Sequence, residues 1–214
     1  MKRSTMTERQ HILLGAGSHG KVLLDIMLLT NTPIVGVCDP ALAAEGKTVW
    51  RDIQVLGDDK RVQSLASEHV LLVNGLGQLP RKDVRFRLHE QWLQRGYQFA
   101  SLIHPTVCCS PSAFIGAGAQ IMAGAILQTD AKIGEGSIIN TNTTVDHDCT
   151  IGAHVHISAG VTVCGGVTVA DHVFIGAGTV IAHGVKIGER AIVGAGSVVM
   201  KDVPSNGFAV GFHG

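Results

Sequence analysis

The chain has 214 residues, 45% hydrophobic but only 4% aromatic, and its 17 basic residues are balanced by 17 acidic ones. That length holds one or two domains with an ample aliphatic core, and zero net charge without a basic run excludes the footprint of a nucleic-acid binder. The opening MKRSTMTERQ lacks the apolar centre of a signal peptide and no apolar run is long enough for a span, so a cytoplasmic protein without membrane insertion is expected.

In chain order, HILLGAGSHGKVLLDIMLL reads as a strand, a glycine turn and a helix beginning near Ser18, with Val22, Leu23, Ile26, Met27 and Leu29 at helical spacing. IVGVCDP and VLLVNGLG follow as strands, RKDVRFRLHEQWLQRGY as an amphipathic helix ending at Gly96, and QFASLIHP as the exit. Strand, helix, strand in this order predicts a small Rossmann-like parallel α/β domain over residues 1–104. Its Gly15-x-Gly17-x-x-Gly20 turn, with Asp39 about twenty residues on, fits NAD as a pattern. A half-sized domain suits a mononucleotide carrier such as a nucleotide diphosphate sugar better, and a purely structural glycine turn is the third reading. In either ligand reading the glycines admit phosphate to the helix N-terminal amides.

From Ile115 to Val199 an aliphatic residue stands at every sixth position, fifteen in succession, and four residues after each comes a small or β-branched one, from Ala119 to Val203. A period of six fits neither helix nor hairpin. It fits a solenoid whose short rungs bury their aliphatics only by stacking on their neighbours. Five cysteines, at 38, 108, 109, 149 and 164, form no C-x-x-C pair and read as reduced thiols.

The hexad pattern resembles the left-handed parallel β-helix of bacterial acyltransferases, three hexads to a coil, and assigns residues 105–214 to that domain. Together, GAGSHGKV and TVDHDCTIGAHVHISAG resemble the sugar acetyltransferases that include the sialic acid O-acetyltransferases and the nucleotide-linked 4-amino-sugar N-acetyltransferases of the bacillosamine pathway. The resemblance implies acetyl-CoA as cosubstrate, no metal, a nucleotide-sugar acceptor (UDP first) and a homotrimer with acetyl-CoA between neighbouring helices. It makes His147 the catalytic base with Asp148 its acidic partner, and gives His156, Gly165, Ala177 and Ala195 to coenzyme A. In the first domain it gives Gly17, Ser18, His19, Asp39, Asn74 and Gly75 to the nucleotide sugar. Lys21 and Arg81 are further phosphate candidates.

The residues argue for His147 independently. An amine attacking a thioester must lose a proton, and imidazole titrates nearest the working pH. Adjacent side chains on a flat strand face opposite ways, so Asp148 or Asp146 reaches His147 only at a corner. Residues 18 apart share a column, which sets Gly165 beside His147 and His183 one coil further. His154 and His172 also share a column, and the His147 to His183 spacing resembles the zinc histidines of γ-type carbonic anhydrases, although Gly188 stands where their third histidine is expected. A non-catalytic scaffold is the remaining alternative. It predicts binding of neither acetyl-CoA nor nucleotide.

Overall fold

The computed structural model describes residues 9–214; the opening MKRSTMTE, read above as no signal peptide, lies outside the described residues. The chain forms two compact units. The first runs to Gly77 and takes in Arg87–Ala100; the second consists of Gln78–Phe86 and Ser101–Gly214.

The first unit holds β1 (Gln10–Leu14), α1 (Ser18–Leu29), β2 (Ile34–Cys38), α2 (Pro40–Ala44), β3 (Val49–Trp50), β4 (Ile53–Gly57) and β5 (Val70–Asn74), and α3 (Val84–Leu93) crosses the partition. The sheet order is β3-β4-β2-β1-β5. It is mixed rather than wholly parallel, because β3 pairs antiparallel with β4. Their turn sets both Arg51 and Asp52 at positive φ, 47° and 64°, the geometry of a two-residue hairpin. The buried face of α1 is Gly20, Leu23, Leu24, Ile26 and Met27. This corrects the periodicity reading at two positions, since Val22 and Leu29 are 45% and 59% exposed.

In the second unit every hexad forms a two-residue rung and a corner. Rungs 18 residues apart pair in parallel, as in Ile121, Ile139, Ile157, Ile175 and Val193. The rungs build three sheets of seven, five and seven strands, a left-handed parallel β-helix. All of the sixfold aliphatics except Ile115 are buried, and so is every residue of the small column. Polar members of that column bond to corner backbone. Ser137 Oγ donates to Gly152 O at 2.8 Å and accepts from Val155 N at 2.9 Å, and Thr143 Oγ1 donates to Ser158 O at 2.9 Å. A hydroxyl in a narrow interior is tolerated because it is satisfied this way. The segment 78–86 is anchored to the coil by Arg85, buried, whose Nη2 donates to Gly136 O at 3.3 Å.

Candidate active site

His147 and Asp148 lie on the corner between the rungs Thr144–Val145 and Thr150–Ile151. Asp148 takes φ 58°, and this left-handed residue turns the chain so that neighbouring side chains no longer diverge. His147 Nδ1 and Asp148 Oδ2 are 2.7 Å apart, with the ring N–H donating to the carboxylate. Asp146 does something else: its Oδ1 accepts from the His147 backbone N–H at 2.8 Å. The bond to Asp148 raises the imidazole pKa above its ordinary value, and the charge of Asp146 acts in the same direction. With Nδ1 committed, Nε2 is the proton-accepting nitrogen of the neutral ring.

Gly165 lies directly against that nitrogen. A Cβ there would stand 2.6 Å from both Nε2 and Cε1 of His147, so glycine leaves the ring its place. His183 is one coil further, its ring centroid 6.5 Å from that of His147. Cys149, next to the pair, is buried with its thiol pKa raised by desolvation, and its Sγ donates to Cys164 O at 3.2 Å; it is no thiolate nucleophile.

Apart from Gly165, the residues expected to hold coenzyme A occupy a different face of the β-helix. His156, buried on the rung His156–Ile157, stacks on Phe174 with ring centroids 4.9 Å apart and planes 5° from parallel. Ala177 and Ala195 line an apolar groove of about 570 Å³ with Gly176, Gly194, Phe174 and Phe208. A polar cavity of about 290 Å³ adjoins it, and the two share Pro80, Arg81, Phe174 and Ile192. Corner residues His154, His172 and Arg190 line the polar cavity opposite Arg81, Lys82 and Phe86. The structure thus unites His147 with Asp148 and Gly165, and Ala177 with Ala195, but leaves His156 away from His147.

In the first unit, Leu14 pairs with Cys38 on one side and Asn74 on the other, so Gly15, Asp39 and Gly75 leave their strands at one level. The order of connections reverses between β1 and β5, which is where ligands enter such sheets. Gly20 and Gly75 are required by packing, since their Cβ atoms would lie 2.3 Å and 2.4 Å from Gly15 O. Gly17 differs: a Cβ there meets nothing within 4 Å, and it caps α1 beside exposed Ser18 and half-buried His19. Asp39 caps α2, its Oδ1 accepting from Ala41 N and Leu42 N, while its Oδ2 accepts from Ala16 N at 2.8 Å. Asn74 is buried and its Oδ1 accepts from Leu76 N at 3.2 Å. Asp39 and Asn74 therefore shape the loops at the carboxyl ends of β1, β2 and β5, and these bonds leave Asp39 carboxylate lone pairs unused.

Residues 11–89 match the PglD N-terminal domain, and 112–147, 130–165 and 166–201 match the bacterial transferase hexapeptide (six repeats). The acetyltransferase domain of PglB from Neisseria gonorrhoeae FA1090 is 30% identical, with 95% of this chain and 97% of that one covered at a TM-score of 0.86. That domain is also known in complex with acetyl coenzyme A. A perosamine N-acetyltransferase from Caulobacter crescentus, in complex with CoA and GDP-perosamine, is 31% identical over 94% of this chain and 93% of that one, at a TM-score of 0.84. The chain belongs to the acetyl-CoA-dependent sugar N-acetyltransferases. WeeI from Acinetobacter baumannii AYE, at 24% identity, 95% and 97% coverage and a TM-score of 0.80, shares the fold. The comparison with curated proteins gives no match.

Two features of this N-acetyltransferase were not found from its sequence. The sequence reading starts the amphipathic helix at Arg81, but α3 begins at Val84, and the residues before it, Pro80 and Arg81, line both cavities of the second unit. Phe174 and Phe208 pass for solenoid filler, although both stand on the groove. An aromatic at a rung's outer position, in a chain so poor in aromatics, was the available signal. The rival metal reading also gains no ligand set. His154 and His172 stack at 5.5 Å and meet the edge of Phe86 at 4.9 and 4.6 Å. No group of three His, Cys, Asp or Glu side chains placed to hold a metal ion occurs among the described residues.

Proposed function

We propose that this N-acetyltransferase moves acetyl from acetyl-CoA to the 4-amino group of a nucleotide-linked 4-amino-4,6-dideoxy sugar used for bacterial surface glycans, with His147 as general base. The observation that carries the assignment is the hydrogen-bonded His147–Asp148 pair whose Nε2 edge lies against Gly165. The amine lone pair forms the new C–N bond at the thioester carbonyl and its proton passes to Nε2. Collapse of the tetrahedral intermediate breaks the C–S bond, and the imidazolium returns the proton to the leaving thiolate. Asp148 holds the tautomer and stabilises the imidazolium, and the Gly165 N–H is the candidate donor to the oxyanion. No covalent acetyl-enzyme is required, because no activated Ser or Cys accompanies the histidine.

The acceptor's nucleotide binds at Gly17, Ser18, His19, Asp39, Asn74 and Gly75, where backbone amides meet phosphate. UDP is the first choice by resemblance to the bacillosamine-pathway enzymes; GDP follows, as the nucleotide bound by the perosamine N-acetyltransferase. The base and the Ala177–Ala195 groove lie on different faces of the β-helix and on different coils. The reading therefore places acetyl-CoA between the groove of one subunit and the His147 corner of the next, in a cytoplasmic homotrimer.

The test is thiol release from acetyl-CoA over a panel of UDP-, GDP- and dTDP-linked 4-amino sugars and sialic acids, wild type beside His147→Ala. Turnover on an amino sugar that falls by about 10² to 10⁴ in the variant, with little change in the KM for acetyl-CoA, is expected. A loss below about threefold removes His147 from the mechanism, and turnover on sialic acid alone reassigns the enzyme to O-acetylation.

A further inference from the structure

Two imidazoles overhang one bare corner of the β-helix, at Gly165 and Gly166. A Cβ on Gly165 would stand 2.6 Å from Cε1 and Nε2 of His147. From the other side, a Cβ on Gly166 would lie 3.5 Å from Cε1 and 3.9 Å from Nε2 of His183. The Nε2 edges of both rings therefore border the same pair of glycines, with ring centroids 6.5 Å apart and planes tilted by 45°. Two strand spacings separate the backbones, about 9.6 Å, so the rings lean toward one another.

The two differ in their hydrogen bonds. His147 has Nδ1 committed to Asp148, which leaves it one nitrogen for chemistry. His183 is exposed, and its ring makes no hydrogen bond or ion pair among the described residues. Amide formation calls for a second proton acceptor. An α-amino group titrates near about 8, so an amine of that kind reaches the site at neutral pH mostly as an ammonium. The ammonium has three N–H bonds and the amide product keeps one. Of the two protons that leave, one ends on the coenzyme A thiol by way of His147, and the other goes to solvent. That second proton must depart before attack, because an ammonium nitrogen has no lone pair.

We propose that His183 takes this proton, converting the bound ammonium into the nucleophilic amine and leaving His147 neutral for the attack itself. An N–H bond of the ammonium breaks, its electron pair stays on the amine nitrogen, and a new N–H bond forms on the His183 ring. Because the ring is exposed, it passes the proton to water and returns to the neutral form. With 6.5 Å between centroids, one amine nitrogen lies within hydrogen-bond reach of both ring edges. The inference rests on the amine acceptor and the His147 base proposed above, and adds the step that readies the amine.

The test is kcat/KM for the accepted amino sugar from about pH 6.5 to about pH 9, in wild type, His183→Ala and His147→Ala, a range that spans the titration of an α-amino group. The titratable groups on the neighbouring corners are Asp146, Asp148, Cys164, Lys201 and Asp202, and all are retained in His183→Ala, so its ratio to wild type isolates the amine's own proton. One unit below the amine pKa only roughly one molecule in ten is unprotonated, so His183→Ala should lose about tenfold near about pH 7 and converge on the wild type near about pH 9. Added imidazole should restore turnover at the lower pH. No loss near neutrality, an equal loss at every pH, or a neutral-pH loss that imidazole leaves in place overturns the inference. His147→Ala should lose turnover across the whole range. If it does not, the base reading itself fails, an outcome told apart by the variant that shows it.

Discussion

At the scale of single residues, the site depends on one left-handed aspartate and one missing methyl. Asp148 raises the imidazole pKa, and a base works only when unprotonated, so activity falls as pH drops through that raised pKa. Asp148→Asn lowers the pKa, and the acidic limb of kcat/KM against pH should move to lower pH. The accompanying drop in kcat should stay below the roughly 10² to 10⁴ expected for loss of the base itself. Gly165→Ala is the complementary experiment. Its φ lies outside the left-handed region, so the added methyl strains no backbone, but it would stand 2.6 Å from the imidazole and must displace the ring. Turnover should collapse while the melting temperature stays within a few degrees, corresponding to about 1 kcal/mol or less; a fully active Gly165→Ala enzyme would contradict the proposed ring position. Much of this was legible in advance, because a count of 18 puts Gly165 and His183 in the His147 column. The reach of Asp148 was not, since the alternation of strand side chains argued against it. A signal did exist: Gly166 and Gly184 stand in the Asp148 column, both at positive φ, which marks that column as a corner.

At the scale of elements, long signals were readable and short ones were not. The fifteen hexads and α1 follow from periodicity, whereas α2, β3 and β4 are five residues or fewer and carry no repeat. The β3–β4 hairpin was hidden further by its turn, which uses Arg51-Asp52 where Asn-Gly would have announced it. In the β-helix each rung is held by the coils above and below. Ile157 is fully buried between Ile139 and Ile175, and Ile157→Ala should cost about 2 to 5 kcal/mol in chemical denaturation. In the first unit the steric constraint is on backbone. Gly20→Ala would bring a Cβ to 2.3 Å from Gly15 O and push α1 away from the turn at Gly15, where the proposed nucleotide site begins. Overpacking of that kind costs about 1 to 3 kcal/mol, and weakened nucleotide binding in the same variant would tie the close helix approach to the loop's shape.

At the scale of the whole molecule, the outer column that runs Cys108, Ile126, Thr144, Thr162, Val180, Val198 and Phe212 ends in three apolar residues, which are 39%, 37% and 76% exposed. Such a strip suits burial against a second copy. The expected species in solution is three times 22.5 kDa, about 68 kDa, and Val180→Glu with Val198→Glu should shift the mass by light scattering toward 22.5 kDa and abolish turnover together. If the dissociated form kept full activity, the shared-groove reading would fail. Within the β-helix the interior columns carry stability, and corner glycines such as Gly134 and Gly176 are held by the backbone of the next coil, whereas one further position in each corner needs only a residue that accepts a left-handed backbone. Asp130, Asn142, Asp148, His154, His172 and Arg190 all meet that condition with different chemistry. Corner side chains can thus be exchanged one coil at a time without disturbing the hydrophobic column. A lineage, or a designer confining a library to these positions, can therefore change what the scaffold recognises while its thermal stability stays nearly constant, separating the evolution of specificity from that of folding.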